Sequence, residues 1–277
     1  MSRTIQLTNS LKSKYRYSII LLKELVVTEF KLRYQGSVLG YLWSLLKPLF
    51  LFVILYIVFV YFLKIGAGIP HWPVSMLLGI VMWNFFAEIT NLGLKSIVSR
   101  SGIIRNINFP KYIIITASSV SALINLSLNL LVVVVFMIIN KVEPSWSMAL
   151  LPVYIFEVLI FGLGIAFFLS AIYVKLRDIQ YIWEVIMQGL FYASAIIYPI
   201  SRVSTTHKEI AQIMLLNPVA QAVQDARYVF ISDTSQTLTS LSGSVIMNLI
   251  PISITILIFI LGARYFKHKS PYFAEKV

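Results

Sequence analysis

From Ser44 to Phe266 the chain alternates long apolar blocks with short polar breaks. The blocks fall at Ser44–Ile65, Val74–Leu94, Ile113–Ile139, Leu150–Val174, Ile179–Ile200 and Val245–Phe266. A helix needs about 20 apolar residues to cross a hydrocarbon core, and each block reaches that length. The pattern predicts an all-α polytopic membrane protein with six transmembrane helices in one domain. A cytoplasmic N-terminal segment covers 1–43, the spans cover 44–266, and a cytoplasmic tail covers 267–277.

The polar breaks carry their own patterns. Ile19, Leu22, Val26, Phe30 and Tyr34 recur at three or four, while Lys23, Glu24, Thr28 and Lys31 take the other side. Such a helix is too polar to span and is expected to lie in the membrane interface. Glu29 and Arg33 stand four apart, the spacing of a helical ion pair. Gly36–Gly40 predicts a bend into the first span, with Pro48 in that span's first turn. The basic stretch Lys95–Lys111 has room for a short helix, and VKLRD after the fourth block predicts a tight turn. Ile210, Ile213, Met214 and Leu216 keep helical spacing, as do Val219, Val223, Val229 and Phe230 beyond Asn217-Pro218. This segment, Ser201–Ser244, predicts an outer re-entrant helical hairpin between spans five and six, because irregular backbone at that depth must be enclosed by protein or line a cavity.

Only 12% of the 277 residues are charged, about half the usual share of roughly 25%. The net charge of +12 would suit nucleic acid, but its placement explains it otherwise. With the N-terminus inside, all basic residues except Lys64, Lys141, Arg202, Lys208 and Arg227 fall on the inner side. That asymmetry follows the positive-inside rule and puts both termini in the cytoplasm. The apolar run Ile19–Leu22 ends at Lys23 with no small-residue cleavage site after it, unlike a secretory signal. Cysteine is absent, which excludes disulfides and thiolate metal sites. His71, His207 and His268 are scattered outside the blocks and suit solvated loops better than a metal.

Glu88, Glu157 and Glu184 are the carboxylates in or near the blocks. Intramembrane acids are functional candidates, yet no carboxylate pair or proton-relay chain appears, which disfavours an ion-driven transporter. A membrane-embedded acyl- or glycosyltransferase lacks the acid, base or metal cluster it would need. No phosphate-binding loop occurs, so no catalytic residue, metal or cofactor is assigned, and any energy source must be another chain. Trp43, Trp72, Trp146 and Tyr112 stand at block ends, as in an interfacial aromatic belt. Tyr181, Trp183, Phe191, Tyr192 and Tyr198 crowd the fifth block; they either pack inside the bundle or line a channel on which sugar rings stack.

The stretch TEFKLRYQGSVLGYLWSLLKPL (Thr28–Leu49) resembles the N-terminal signature of permease subunits from type-2 ABC exporters of cell-envelope polysaccharide, the group handling O-antigen, capsule and teichoic acid. NFPK (Asn108–Lys111), LRDI (Leu176–Ile179), FYASAIIYPI (Phe191–Ile200) and LNPVAQAVQDARYV (Leu216–Val229) follow in the family's order and extend the resemblance along nearly the whole chain. Ala195 departs from it where proline is common, and so does Gln-Asp-Ala-Arg at 224–227.

The resemblance implies a homodimer in the bacterial cytoplasmic membrane, exporting a lipid-linked glycan with a pair of separate ATPase subunits. Those partners would hold ATP and magnesium. A drug or small-lipid exporter of the same architecture is the alternative cargo class. Coupling to the ATPase is expected at Arg100, Ile103, Ile104, Arg105, Phe109 and Lys111, and at the turn Arg177–Asp178. Lys31, Arg33 and Lys47 are expected where the anionic head group of the substrate enters, arginine offering a planar fork of donors and lysine a point charge. The same three cations would serve equally as anchors to lipid headgroups.

Overall fold

The computed structural model describes residues 18–29, 31, 37–107 and 109–276. All secondary structure among them is helical. Helix α1 covers 18–29, and α2 (Trp43–Leu55) follows a 3-10 turn at Gly40–Leu42 and passes into a π-helical end, Tyr56–Phe62. Then come α3 (Trp72–Ser99), α4 (Ser101–Asn106), α5 (Tyr112–Ile139), α6 (Leu151–Tyr173, entered from a 3-10 turn at Trp146–Leu150) and α7 (Ile179–Ala193). The short helices α8 (Ser201–Ser204), α9 (Lys208–Met214), α10 (Pro218–Phe230) and α11 (Leu238–Ser242) lead to α12 (Leu249–Lys269) and a terminal turn, α13 (Phe273–Lys276).

Helix α3 is the axis of the bundle. Along it Val74, Met76, Leu78, Ile80, Met82, Phe86, Ile89 and Ile97 are all fully buried. Helices α5 and α6 flank it, and α12 lies along α6. Between those two the backbones nearly touch. A Cβ on Gly164 would come within 2.6 Å of the Phe259 Cα, and one on Gly262 would collide with the Gly164 carbonyl. Close approach through small residues replaces the hydrophobic drive that lipid cannot supply. Helices α2 and α7 are peripheral, the former against α3 and α5, the latter against α3 and α6.

Among the described residues five helical stretches are long and apolar enough to cross a membrane: Trp43–Phe62, Trp72–Ser99, Tyr112–Ile139, Trp146–Tyr173 and Val245–Glu275. The expected count of six is not reproduced, because α7 has 15 residues and rises only about 22 Å at 1.5 Å per residue. It stops at Ala193, and Ser194–Ile197 continue as buried, non-helical chain. Ala195 takes φ +51°, the left-handed region that ends helices. Proline, fixed near −65°, cannot adopt that angle, so the backbone here differs from one built around proline. Pro48 also sits differently from expectation. The helix starts five residues ahead of it, at Trp43, and Pro48 is buried within α2.

Candidate functional site

At the end of the bundle where α3 stops and α5 begins, Arg100 and Lys111 tie the adjoining segments to α1 and to the chain after α12. The carboxylate of Glu29 on α1 accepts from Arg100 Nη2 at 2.6 Å and from Ser118 Oγ at 3.2 Å. The expected partner, Arg33, lies outside the described residues; the carboxylate is satisfied by tertiary contacts on α3 and α5. Arg100 Nη1 also reaches the Ile114 carbonyl at 3.5 Å. Lys111 Nζ donates to the Ser270 carbonyl at 2.8 Å, tying this region to the chain after α12. Helix α13 packs on α4, with the Phe273 ring 5.3 Å from Phe266.

The proposed coupling residues therefore divide. Ile104 and Phe109 are buried, Ile103 is half-buried, and Arg105 is exposed beside Gly102, Asn106 and Ile107. Arg177 and Asp178 are exposed at the α6–α7 turn. Arg177 lies over the Tyr173 ring at 4.9 Å, and the Asp178 side chain does not cap α7. Lys31 and Lys47 are exposed.

The aromatic residues of the fifth block divide in the same way. Trp183 is buried, donating from Nε1 to Thr90 Oγ1 at 3.3 Å. Phe191 packs 5.6 Å from Trp83. Tyr198 donates its hydroxyl to the Tyr192 carbonyl at 2.7 Å and bridges the broken end of α7. Tyr181 and Tyr192 are open, with Glu184, Val185 and Gln188 between them on one stripe. Glu88 accepts from Asn125 Nδ2 at 2.6 Å, a polar link between α3 and α5 inside the bundle.

At the opposite end sits a residue that charge counting by loops had placed among the outer basic residues. Arg227 of α10 is 1% exposed. Its Nε donates to the Ser75 carbonyl at 2.9 Å, Nη1 to Ala195 at 2.9 Å and Nη2 to Ile196 at 2.5 Å. The guanidinium carbon is 5.1 Å from the ring centre of Trp72, which is itself buried rather than set in an aromatic belt. Gly79 leaves the room; a Cβ there would run into Nη2. Burial lowers the Arg227 pKa to about 9, so it stays charged at neutral pH. Asn217 caps α10 by accepting from the Val219 N–H at 3.0 Å. Gln221, Gln224 and Asp225 are buried on the same helix. Gln221 donates to the Asp225 carboxylate, and burial raises the pKa of that carboxyl to about 6 against this bond. The sequence signal is the cluster of Gln221, Gln224, Asp225 and Arg227 within an otherwise apolar helical pattern.

Among the described residues no group of His, Asp and Glu could hold a metal ion. The architecture is thus a packed bundle with a basic, mostly exposed end, a polar-aromatic stripe on α7 and an arginine-locked opposite end. Residues 20–231 match the ABC-2 type transporter family, and the chain belongs to it. It is 29% identical over 216 residues to the O-antigen export system permease protein RfbA of Myxococcus xanthus, covering 78% of this chain and 82% of that protein. The protein of the same name from Klebsiella pneumoniae is 27% identical, covering 81% and 86%. The polysialic acid transport protein KpsM of Escherichia coli is 22% identical, covering 78% and 83%.

Proposed function

We propose that this chain is the permease subunit of an ATP-driven exporter that moves a lipid-linked polysaccharide across the bacterial cytoplasmic membrane. The observation that carries the reading is that proteins named as O-antigen and polysialic acid exporters align with about four fifths of the chain. In this reading the basic end faces the cytoplasm, in keeping with the positive-inside rule. The exposed edge of α4 and the Arg177–Asp178 turn meet a separate ATPase there. Lys31, Arg33 and Lys47 meet the anionic head of the substrate.

Two copies of the chain form the channel. The α7 stripe supports this, because Glu184 and Gln188 between Tyr181 and Tyr192 make a face ill-suited to lipid and suited to hydroxyl-rich sugars. Deleting the gene in its host is expected to abolish surface polysaccharide while lipid-linked glycan accumulates inside. Unchanged surface glycan with new sensitivity to hydrophobic drugs would instead assign the cargo to small amphiphiles.

A further inference from the structure

At the basic end, α6, α12 and the chain after α12 enclose a cleft of about 370 Å3. Its inner wall is apolar, with Ala171, Val174 and Phe273 buried. Its mouth carries Lys175, Lys269, Tyr265 and Tyr272. Lys269 Nζ lies 5.8 Å from the centre of the Tyr265 ring. A shallower depression continues round Tyr272 and adds Arg264, Lys267 and His268. Among the described residues no acidic side chain lines either one; Asp178 and Glu275, near them in sequence, are exposed and outside both.

The depth of the cleft is set by α12. Ile256, Leu257, Ile260 and Leu261 are exposed on that helix, and Arg264, Lys267, His268 and Lys269 follow at once. This change from bare apolar to basic side chains marks the level of lipid phosphates. We propose that the cleft binds the phosphate headgroup of an anionic phospholipid, whose acyl chains run along the exposed apolar face of α12. Two lysines and two tyrosines at one mouth, with no acidic side chain among the described lining residues, suit a phosphate diester. The apolar wall and the neighbouring α12 face would be left uncovered by a soluble phosphate. Basic pockets between transmembrane helices are known to hold such headgroups.

The position has a consequence. Lys175 and Leu176 lead directly into Arg177–Asp178, and Phe273 opens α13, which packs on α4. A bound lipid therefore braces both segments that the proposed function assigns to coupling. That consequence rests on the coupling reading, whereas the lipid site does not.

The test is native mass spectrometry of the full chain released from phosphatidylcholine nanodiscs doped with phosphatidylglycerol, which offers lipid on both faces and is blind to orientation and cargo. Wild type is expected to retain phosphatidylglycerol in preference to phosphatidylcholine. Retention should fall about fivefold with Lys175→Gln or Lys269→Gln and roughly 30-fold with both, from the usual worth of a cation at an anionic surface. Arginine at both positions should restore it, which separates lost charge from a lost fold. Lys141→Gln with Lys208→Gln, at the other end, should change nothing. Equal retention by wild type and the double glutamine variant overturns the site, as does equal loss with the distant pair. Displacement of the lipid by soluble pyrophosphate, with pyrophosphate retained in its place, assigns the cleft to a free phosphate and overturns the lipid. Loss of the lipid on adding the ATPase subunit assigns it to an acidic segment of that protein and overturns the proposal equally.

Discussion

Arg227 is sealed from solvent with three carbonyls as its described acceptors and no carboxylate among them. A buried charge left without compensation costs several kcal/mol. Two of the three carbonyls, those of Ala195 and Ile196, lie just past the C-terminal end of α7, where the helix dipole is negative. They supply the compensation, and the arginine in turn satisfies backbone that the broken helix leaves unpaired. Arg227→Met removes the guanidinium donors from those three buried carbonyls and is therefore expected to destabilise by about 3 kcal/mol or more, seen as a lower denaturation midpoint in detergent. Arg227→Lys should recover only part, because one ammonium cannot span three carbonyls. Gly79→Ala tests the packing directly. In wild type its methyl meets Nη2 and should cost about 1–3 kcal/mol, the usual range for overpacking. In the Arg227→Met background the cost should largely vanish. Additive losses would show that the two residues do not touch.

At the scale of elements, one contact between helices matters more than any propensity. Glu29 and Arg100 are 13% and 15% exposed, so their ion pair is shielded enough to hold α1 on the bundle. Glu29→Ala should release α1, costing about 1.5–3 kcal/mol for a charged hydrogen bond. Hydrogen exchange of residues 18–29 should speed up while α3 and α5 stay protected; unchanged exchange would mean that packing of Leu25 and Val26 alone holds the helix. Gly262→Val should force α12 off α6, because the Gly164 carbonyl occupies the space a side chain needs. The expected sign is a midpoint lowered by more than Arg227→Lys lowers it.

These contacts also explain what the sequence could and could not disclose. Unbroken apolar runs identify α3, α5, α6 and α12 because an apolar run long enough to cross a bilayer leaves few alternatives to a helix. The end of α7 is hidden, since Ala195, Ile196 and Ile197 look the same in a helix and in a buried turn. What breaks it is a left-handed alanine and an arginine 32 residues further on. Local spacing likewise points to no partner for Glu29 on α3, yet the fold brings Arg100, 71 residues away, onto it.

For the whole molecule, the question is which outer faces meet lipid and which meet water or a second copy. Helix α12 exposes Ile252, Ile256, Leu257, Ile260 and Leu261 with only the small Ser253 among them, a face suited to lipid. The stripe on α7 mixes Tyr181, Glu184, Val185, Gln188 and Tyr192. Burying Glu184 and Gln188 in acyl chains would cost on the order of 2 kcal/mol or more for the charge alone. On the proposed reading, this stripe of helix α7 faces a water-filled path at a subunit boundary. The chain contains no cysteine, so single replacements report cleanly. In intact membranes Val185→Cys, Gln188→Cys and Tyr192→Cys should react with a water-soluble maleimide at least tenfold faster than Leu257→Cys, since only hydrated thiols ionise readily. Disulfide cross-linking of the same α7 cysteines should give a dimer band if the stripe lines a path between two copies. Equal, slow labelling of α7 and α12 would place both helices in lipid and move the channel elsewhere.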